Sequence, residues 1–237
     1  MDLFIDVDNK KIDFNVQYRN RKTMSIQIEP TGKVLVAAPQ GLSEEKIVEV
    51  VKGKGRWIVR KLEELKEIDY KSIEKTFVDG EGFLYLGEEY PLQIEVDKDI
   101  KVTSIMILRG NLYIKAPVRD VNMLRQAVEK WYREKCLVKV MERVDYYKEI
   151  VGKKPIKVRV KEQKRRWGSC TSRGHILFNW RCIMAPLDVI DYIVVHEMCH
   201  LIHMNHSKAF WELVEYILPD YKERRNWLKK YGVLLNI

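Results

Sequence analysis

Val195-His196-Glu197-Met198-Cys199-His200-Leu201-Ile202-His203-Met204-Asn205-His206 is the stretch from which the rest of the chain is read. Four of the five histidines of the protein fall between His196 and His206. His196 and His200 are four apart, so on a helix their imidazoles share one face, one turn from each other. That spacing brings two nitrogens within reach of a single zinc ion at about 2.0–2.1 Å. Glu197 follows the first histidine directly and completes a His-Glu-x-x-His pattern, in which the glutamate serves as general base.

The flanks say how this stretch is held. Pro186-Leu187-Asp188 suits the first turn of a helix. Ile190, Ile193, Val194, Met198 and Leu201 make that helix apolar on nearly all sides, so it is expected to be buried. Buried histidines and a buried glutamate require partners, and a metal ion provides one. A catalytic zinc takes three protein ligands and keeps a water in the fourth place. His203 is seven residues beyond His196, roughly 10 Å along a straight helix, too far to share the metal. His206 reaches back only if the helix ends near residue 203. Asn205 tolerates the left-handed conformation that ends helices, and Ser207 reads as the cap of the next one. His196, His200 and His206 are therefore the expected ligands of one zinc ion, with His203 structural. A carboxylate from the next helix, Glu212 or Glu215, is a weaker third-ligand candidate. Glu197 is expected beside the metal, taking a proton from water and handing it to a leaving amine. Arg166 and Tyr192 are the candidates for steadying the developing oxyanion.

Immediately upstream, Ile156 to Val160 and His175 to Trp180 alternate as strands, with turn chemistry at Ser172-Arg173-Gly174. They read as a hairpin feeding the metal helix. The run Lys161-Glu162-Gln163-Lys164-Arg165-Arg166-Trp167-Gly168-Ser169-Cys170 between them reads either as a solvated loop or as a cleft rim, with Arg166 and Trp167 as the substrate-binding candidates of the rim. Downstream, helices are expected over residues 208–218 and 221–231, broken at Pro219-Asp220 and closed by Gly232.

The N-terminal part is hairpin-rich. Met24 to Ile28 and Lys33 to Ala37 flank a Pro30-Thr31-Gly32 turn. Ser43 with Glu44 and Glu45 starts a helix through Ile47, Val48 and Val51. Gly53 and Gly55 interrupt it before a second helix from Trp57 to Leu65. Further hairpins are expected over residues 77–87 and 105–114. Gly32 to Pro39 is weakly echoed by Gly110 to Pro117. Val121, Leu124, Val128, Trp131, Val140 and Val144 mark a long helix capped by Gly152. The expected class is α+β: a catalytic domain over 119–237, built on the His-Glu-x-x-His helix, preceded by a β-hairpin-rich region over 1–118.

Bulk composition narrows the setting. The 237 residues include 46% hydrophobic and 32% charged side chains, within the soluble globular range. No run of apolar residues is long enough for a membrane span. Met1 to Asp6 lacks a basic, apolar secretory leader. Four cysteines without a CxxC spacing fit a cytoplasmic protein with reduced thiols. The net charge of +9 permits an acidic partner such as nucleic acid and equally a lysine-rich soluble surface.

Taken together, Arg166-Trp167-Gly168-Ser169-Cys170, Asn179-Trp180-Arg181, Ala185-Pro186, Val194 to His200, Asn205 to Trp211 and Pro219 to Lys222 resemble the YgjP-like family of zinc metallopeptidases, related to WLM and SprT-like zincins. The resemblance is tightest over about residues 160–232 and looser upstream. It implies a zincin-like α+β catalytic core over 119–237, three zinc-binding histidines at His196, His200 and His206, a catalytic Glu197 and a polypeptide substrate. Metzincins carry a third histidine at the same offset but a glycine where this chain has His203, which argues against a simple metzincin assignment. The alternatives are a basic module of zincin-like fold that associates with nucleic acid and acts on DNA-bound proteins, or a metal-dependent hydrolase of another acyl bond.

Overall fold

Period-two alternation builds the first sheet: Ile12, Phe14 and Val16 are buried while Lys11, Asp13 and Gln17 face solvent. β1 (Asp2–Val7) turns into β2 (Lys10–Arg19) through Asp8 and Asn9, both at positive φ, the geometry of a tight two-residue hairpin. β3 (Ser25–Ile28) and β4 (Val34–Pro39) form the expected second hairpin. The strand order is β1-β2-β4-β3, with β2 and β4 parallel. α1 (Glu44–Gly53) starts where Ser43 Oγ accepts the Lys46 N–H, as its sequence indicates. α2 (Gly55–Lys66) follows, and Ile47, Val51 and Ile58 join Val34 and Val36 in one core.

This computed structural model describes residues 1–29, 31–66, 75–163 and 166–237. Pro30 of the expected turn and Lys164 and Arg165 of the basic run lie outside the described residues. The chain forms two compact units, Met1–Ile73 and Glu74–Ile237.

The second unit begins with β5 (Gly82–Tyr85), β6 (Glu88–Val96), β7 (Ser104–Leu108) and β8 (Asn111–Ala116). Their order, β5-β6-β8-β7, and their pairing senses repeat those of the first sheet. The Gly32 to Pro39 and Gly110 to Pro117 echo thus corresponds to β4 and β8, equivalent strands of two sheets with one topology. The sheet lies on α3 (Val121–Val151), capped by Asp120 and ended by Gly152 in the left-handed region. Phe77, Phe83, Leu92 and Ile114 share a core with Leu124, Val128 and Tyr132, and the Tyr132 hydroxyl donates to the Leu84 carbonyl at 2.7 Å. This packing is why the unit boundary falls at 73/74 and not between β8 and α3, near the expected 118/119.

The third sheet corrects one expectation. β9 (Lys157–Lys161) and β11 (His175–Asn179) run parallel and do not form a hairpin. The antiparallel partner of β11 is β10 (Gly168–Cys170), in the stretch read as a loop rim. Gly174, at φ 71, closes the turn between β10 and β11. Three residues with no apolar alternation leave too weak a periodic signal for a strand to be read.

A 3-10 turn over Trp180–Met184 leads into α4 (Leu187–Cys199), followed by α5 (Lys208–Ile217), α6 (Tyr221–Tyr231) and a closing 3-10 turn over Gly232–Leu234. The β5–β6 hairpin holds the entry to α4: Leu86 N–H donates to Ile183 O at 2.8 Å and Gly87 N–H to Met184 O at 3.1 Å. Gly87 sits at φ 88, and a Cβ there would lie 2.9 Å from the Pro186 backbone. Behind α4, Asp191 takes Arg143 Nε at 2.5 Å, Arg143 Nη2 at 3.0 Å and the Tyr147 hydroxyl at 3.0 Å. Among the described residues no helix is long and apolar enough to cross a membrane.

The Arg143–Asp191 clamp is expected to matter chiefly when broken on one side. Asp191→Ala should lower the unfolding free energy in urea by about 3–5 kcal/mol, because it strands a buried guanidinium. Arg143→Met with Asp191→Leu should cost distinctly less. Equal losses in the two variants would show that the clamp has no such role.

Candidate metal centre

α4 is apolar on almost every side, and Val189, Ile190, Val194, Val195 and Met198 are all buried. Its last turn carries His196 and Glu197, with His200 at the C-cap. The helix ends slightly before the expected point. The N–H groups of Leu201 and His203 fold back onto the carbonyls of Met198 and Cys199, and Ser207 caps α5 by accepting the Phe210 N–H at 3.4 Å. The loop between α4 and α5 returns His206 to the helix face.

The outcome is a cluster in which one nitrogen from each of His196, His200 and His206 lies within 4.8 Å of the others. Nε2 of His206 stands 3.1 Å from Nε2 of His196. Two nitrogens on a tetrahedral zinc at about 2.0–2.1 Å would be about 3.3 Å apart, so this pair is spaced for ligation. His200 Nδ1 is engaged by the His203 carbonyl at 2.9 Å, which leaves its Nε2 for a metal and orients the ring. The contribution of His203 on this face is thus a backbone one.

The surroundings favour neutral rings at His196 and His206. Burial, and then the neighbouring His200 and His206, push the His196 ring down to about 3. Burial and His200 also lower His206. A neutral imidazole is the ligating form. Glu197 is only 5% exposed, and burial pushes its carboxyl up to about 8 against the opposing charge of Arg166. His196 Nδ1 and Glu197 Oε2 are buried without a partner among the described residues. Stranded polar atoms beside three convergent nitrogens fit a site built for a cation and a water.

Two residues escaped the sequence reading. Phe210 is fully buried and touches all three imidazoles, with ring centroids 4.5 Å from His200, 4.9 Å from His206 and 5.0 Å from His196. The sole signal for it is its place three residues after the Ser207 cap, which does not tell a floor residue from ordinary core. Gly168, on β10, has Glu197 pressed against it, and a Cβ there would lie 2.5 Å from Glu197 Cγ. Nearby, Trp211 stacks on His206 at 5.5 Å and 21°.

Arg166, Trp167, Tyr192 and Glu197 line one cleft with the three histidines, and its volume is about 470 Å³. Trp167 also packs against the C-terminal turn, where a Cβ on Gly232 would meet its ring at 2.8 Å. Burial holds the Tyr192 phenol up at about 12. Glu212 is taken by Lys208 and Glu215 by Lys222, and neither belongs to the histidine cluster.

No curated protein matches the chain in sequence. Among solved structures, the metallopeptidase zymogen of Pyrococcus abyssi abylysin is 26% identical, covers 38% of this chain and 93% of its own, and superposes with a TM-score of 0.35. Residues 22–231 match the YgjP-like family, metallopeptidase domain, and with nearly the whole chain inside that match the protein belongs to the YgjP-like metallopeptidases.

Proposed function

We propose that this chain is a zinc-dependent endopeptidase, with one zinc ion held by His196, His200 and His206 and Glu197 acting as general base. The observation that carries the reading is the convergence of three imidazole nitrogens beside a buried carboxylate, one oxygen of which has no partner among the described residues, in an open cleft. A zinc ion bound by three imidazoles supplies a Lewis acid that acidifies water and polarises a carbonyl. Glu197 takes the proton of the attacking water and passes it to the leaving amine nitrogen, which frees the new N-terminus. Its desolvated setting raises its affinity for that proton. The Gly168 backbone lies against it and limits where the carboxylate sits.

Endopeptidase action is supported by β10. This strand lines the cleft, and among the described residues its one strand partner is β11, which leaves its other edge for an extended chain. A substrate segment adds there by main-chain hydrogen bonds that do not depend on its sequence. Arg166 and Trp167 stand just before β10 on the same wall and contact the substrate. Four free cysteines suit a reducing, cytoplasmic setting.

Glu197→Gln should retain bound zinc while kcat on an unfolded protein substrate falls by about 10²–10⁴-fold. Zinc content by mass spectrometry and cleavage by gel decide this, and equal activity in the two proteins would remove the mechanism. Trp211→Leu should loosen His206 and weaken zinc binding by about 10–100-fold in competition with a chelating dye. Unchanged affinity would deny the stacked indole that function. Gly168→Ala should displace Glu197 and lower kcat by on the order of 10²-fold with zinc content intact; loss of zinc in step with activity would contradict a role confined to the base.

A further inference from the structure

The two arginines nearest the histidine cluster differ from those packed behind it. Arg143, Arg181 and Arg224 are engaged by Asp191, Glu162 and Asp220. Arg166 lines the cleft, is exposed, and gives its Nε to the neutral Gln163 amide oxygen at 2.6 Å. Arg225 lies three residues before Leu228, which lines the cleft, and so shares its face of α6. Its guanidinium rides over the Trp211 ring at 4.8 Å, and Trp211 in turn stacks on His206. Among the described residues neither arginine is in an ion pair, and Glu197 is the one carboxylate lining the cleft.

The two charges act on different parts of the site. That of Arg166 is felt at Glu197, and that of Arg225 at His196, His206 and Tyr192. Arg166 lines the cleft just before β10, and Arg225 stands on α6 over the indole of α5. A guanidinium held over an indole keeps N–H groups for a planar acceptor. An arriving carboxylate therefore meets two guanidinium groups.

We infer that the cleft selects peptides carrying a carboxylate close to the bond to be cut, received by Arg166 and Arg225. This rests on the peptidase reading for the cutting but not for the binding. The carboxylate is a side chain or a chain terminus, and both present the same planar pair of oxygens.

The test uses zinc-loaded full-length protein and three matched fluorescent peptides. One has a single Glu near its centre and an amidated end, one has Gln there and an amidated end, and one has Gln and a free C-terminal carboxylate. Binding to Glu197→Gln is followed by anisotropy, and cleavage by the parent enzyme is followed separately. The Glu peptide should bind about tenfold more tightly than its amidated Gln counterpart. The advantage should shrink as salt rises. Arg166→Gln and Arg225→Gln should each draw the Glu/Gln affinity ratio toward one. A matching gain for the free-carboxylate peptide alone would assign the arginines to the chain terminus. Equal binding of all three peptides overturns the inference, whether or not the parent cuts them. Displacement of the Glu peptide by a single-stranded oligonucleotide, at concentrations where poly-glutamate does not displace it, also overturns it and gives the surface to nucleic acid. Selective binding without cleavage of any peptide by the parent leaves the inference standing and removes the peptidase reading.

Discussion

Desolvation of His196, Glu197 and His200 on a helix that is otherwise apolar is the constraint around which the second unit is organised. A carboxylate at 5% exposure, with one oxygen lacking any partner among the described residues, is an expensive group to bury. The same burial lowers the basicity of His196 and raises that of Glu197. It therefore leaves a neutral nitrogen donor beside a carboxylate with high proton affinity. Those are the two properties that a metal ligand and a general base require. The energy given up in burying these groups is recovered by the surrounding apolar packing, and Phe210 beneath all three imidazoles is the most direct example.

Holding such a helix requires fixed supports at both ends. At its entry the backbone of the β5–β6 hairpin bonds to the turn over Trp180–Met184, with Gly87 allowing the close approach to Pro186. On its rear face Asp191 accepts from Arg143 and Tyr147 of α3, so its one buried carboxylate on that side is satisfied. At its exit the chain turns on Met198 and Cys199, and the His203 carbonyl fixes the His200 ring before Ser207 starts α5. Each support lies far from the histidines in sequence or in the backbone alone.

The two four-stranded sheets show how one topology serves two contexts. Both run outer, inner, inner, outer with a parallel pair at the centre, and β4 and β8 bury alternate residues in the same phase. In the first unit the sheet is covered by α1 and α2. In the second it lies on α3 and shares the core of the metal helix. The repeated topology accounts for the faint similarity between Gly32 to Pro39 and Gly110 to Pro117.

The sequence by itself determined the local elements and the histidines that cluster. The four-residue spacing of His196 and His200, the unbroken apolar faces of α4 and the caps at Ser43, Ser207 and Gly152 are short-range signals, and each acts within one or two helical turns. Because a straight helix cannot bring His203 beside His196, the return of His206 was also legible. What only the tertiary structure decided was which distant segments meet. The parallel pairing of β9 with β11, the existence of β10, the contact of Gly168 with Glu197, the Phe210 floor and the nearness of Arg225 all depend on chain crossings that no local period encodes. A three-residue strand has too few residues to show alternation. A glycine, a phenylalanine or an arginine looks the same in sequence whether it meets the site or not, since its contacts come from the packing of separate helices and sheets.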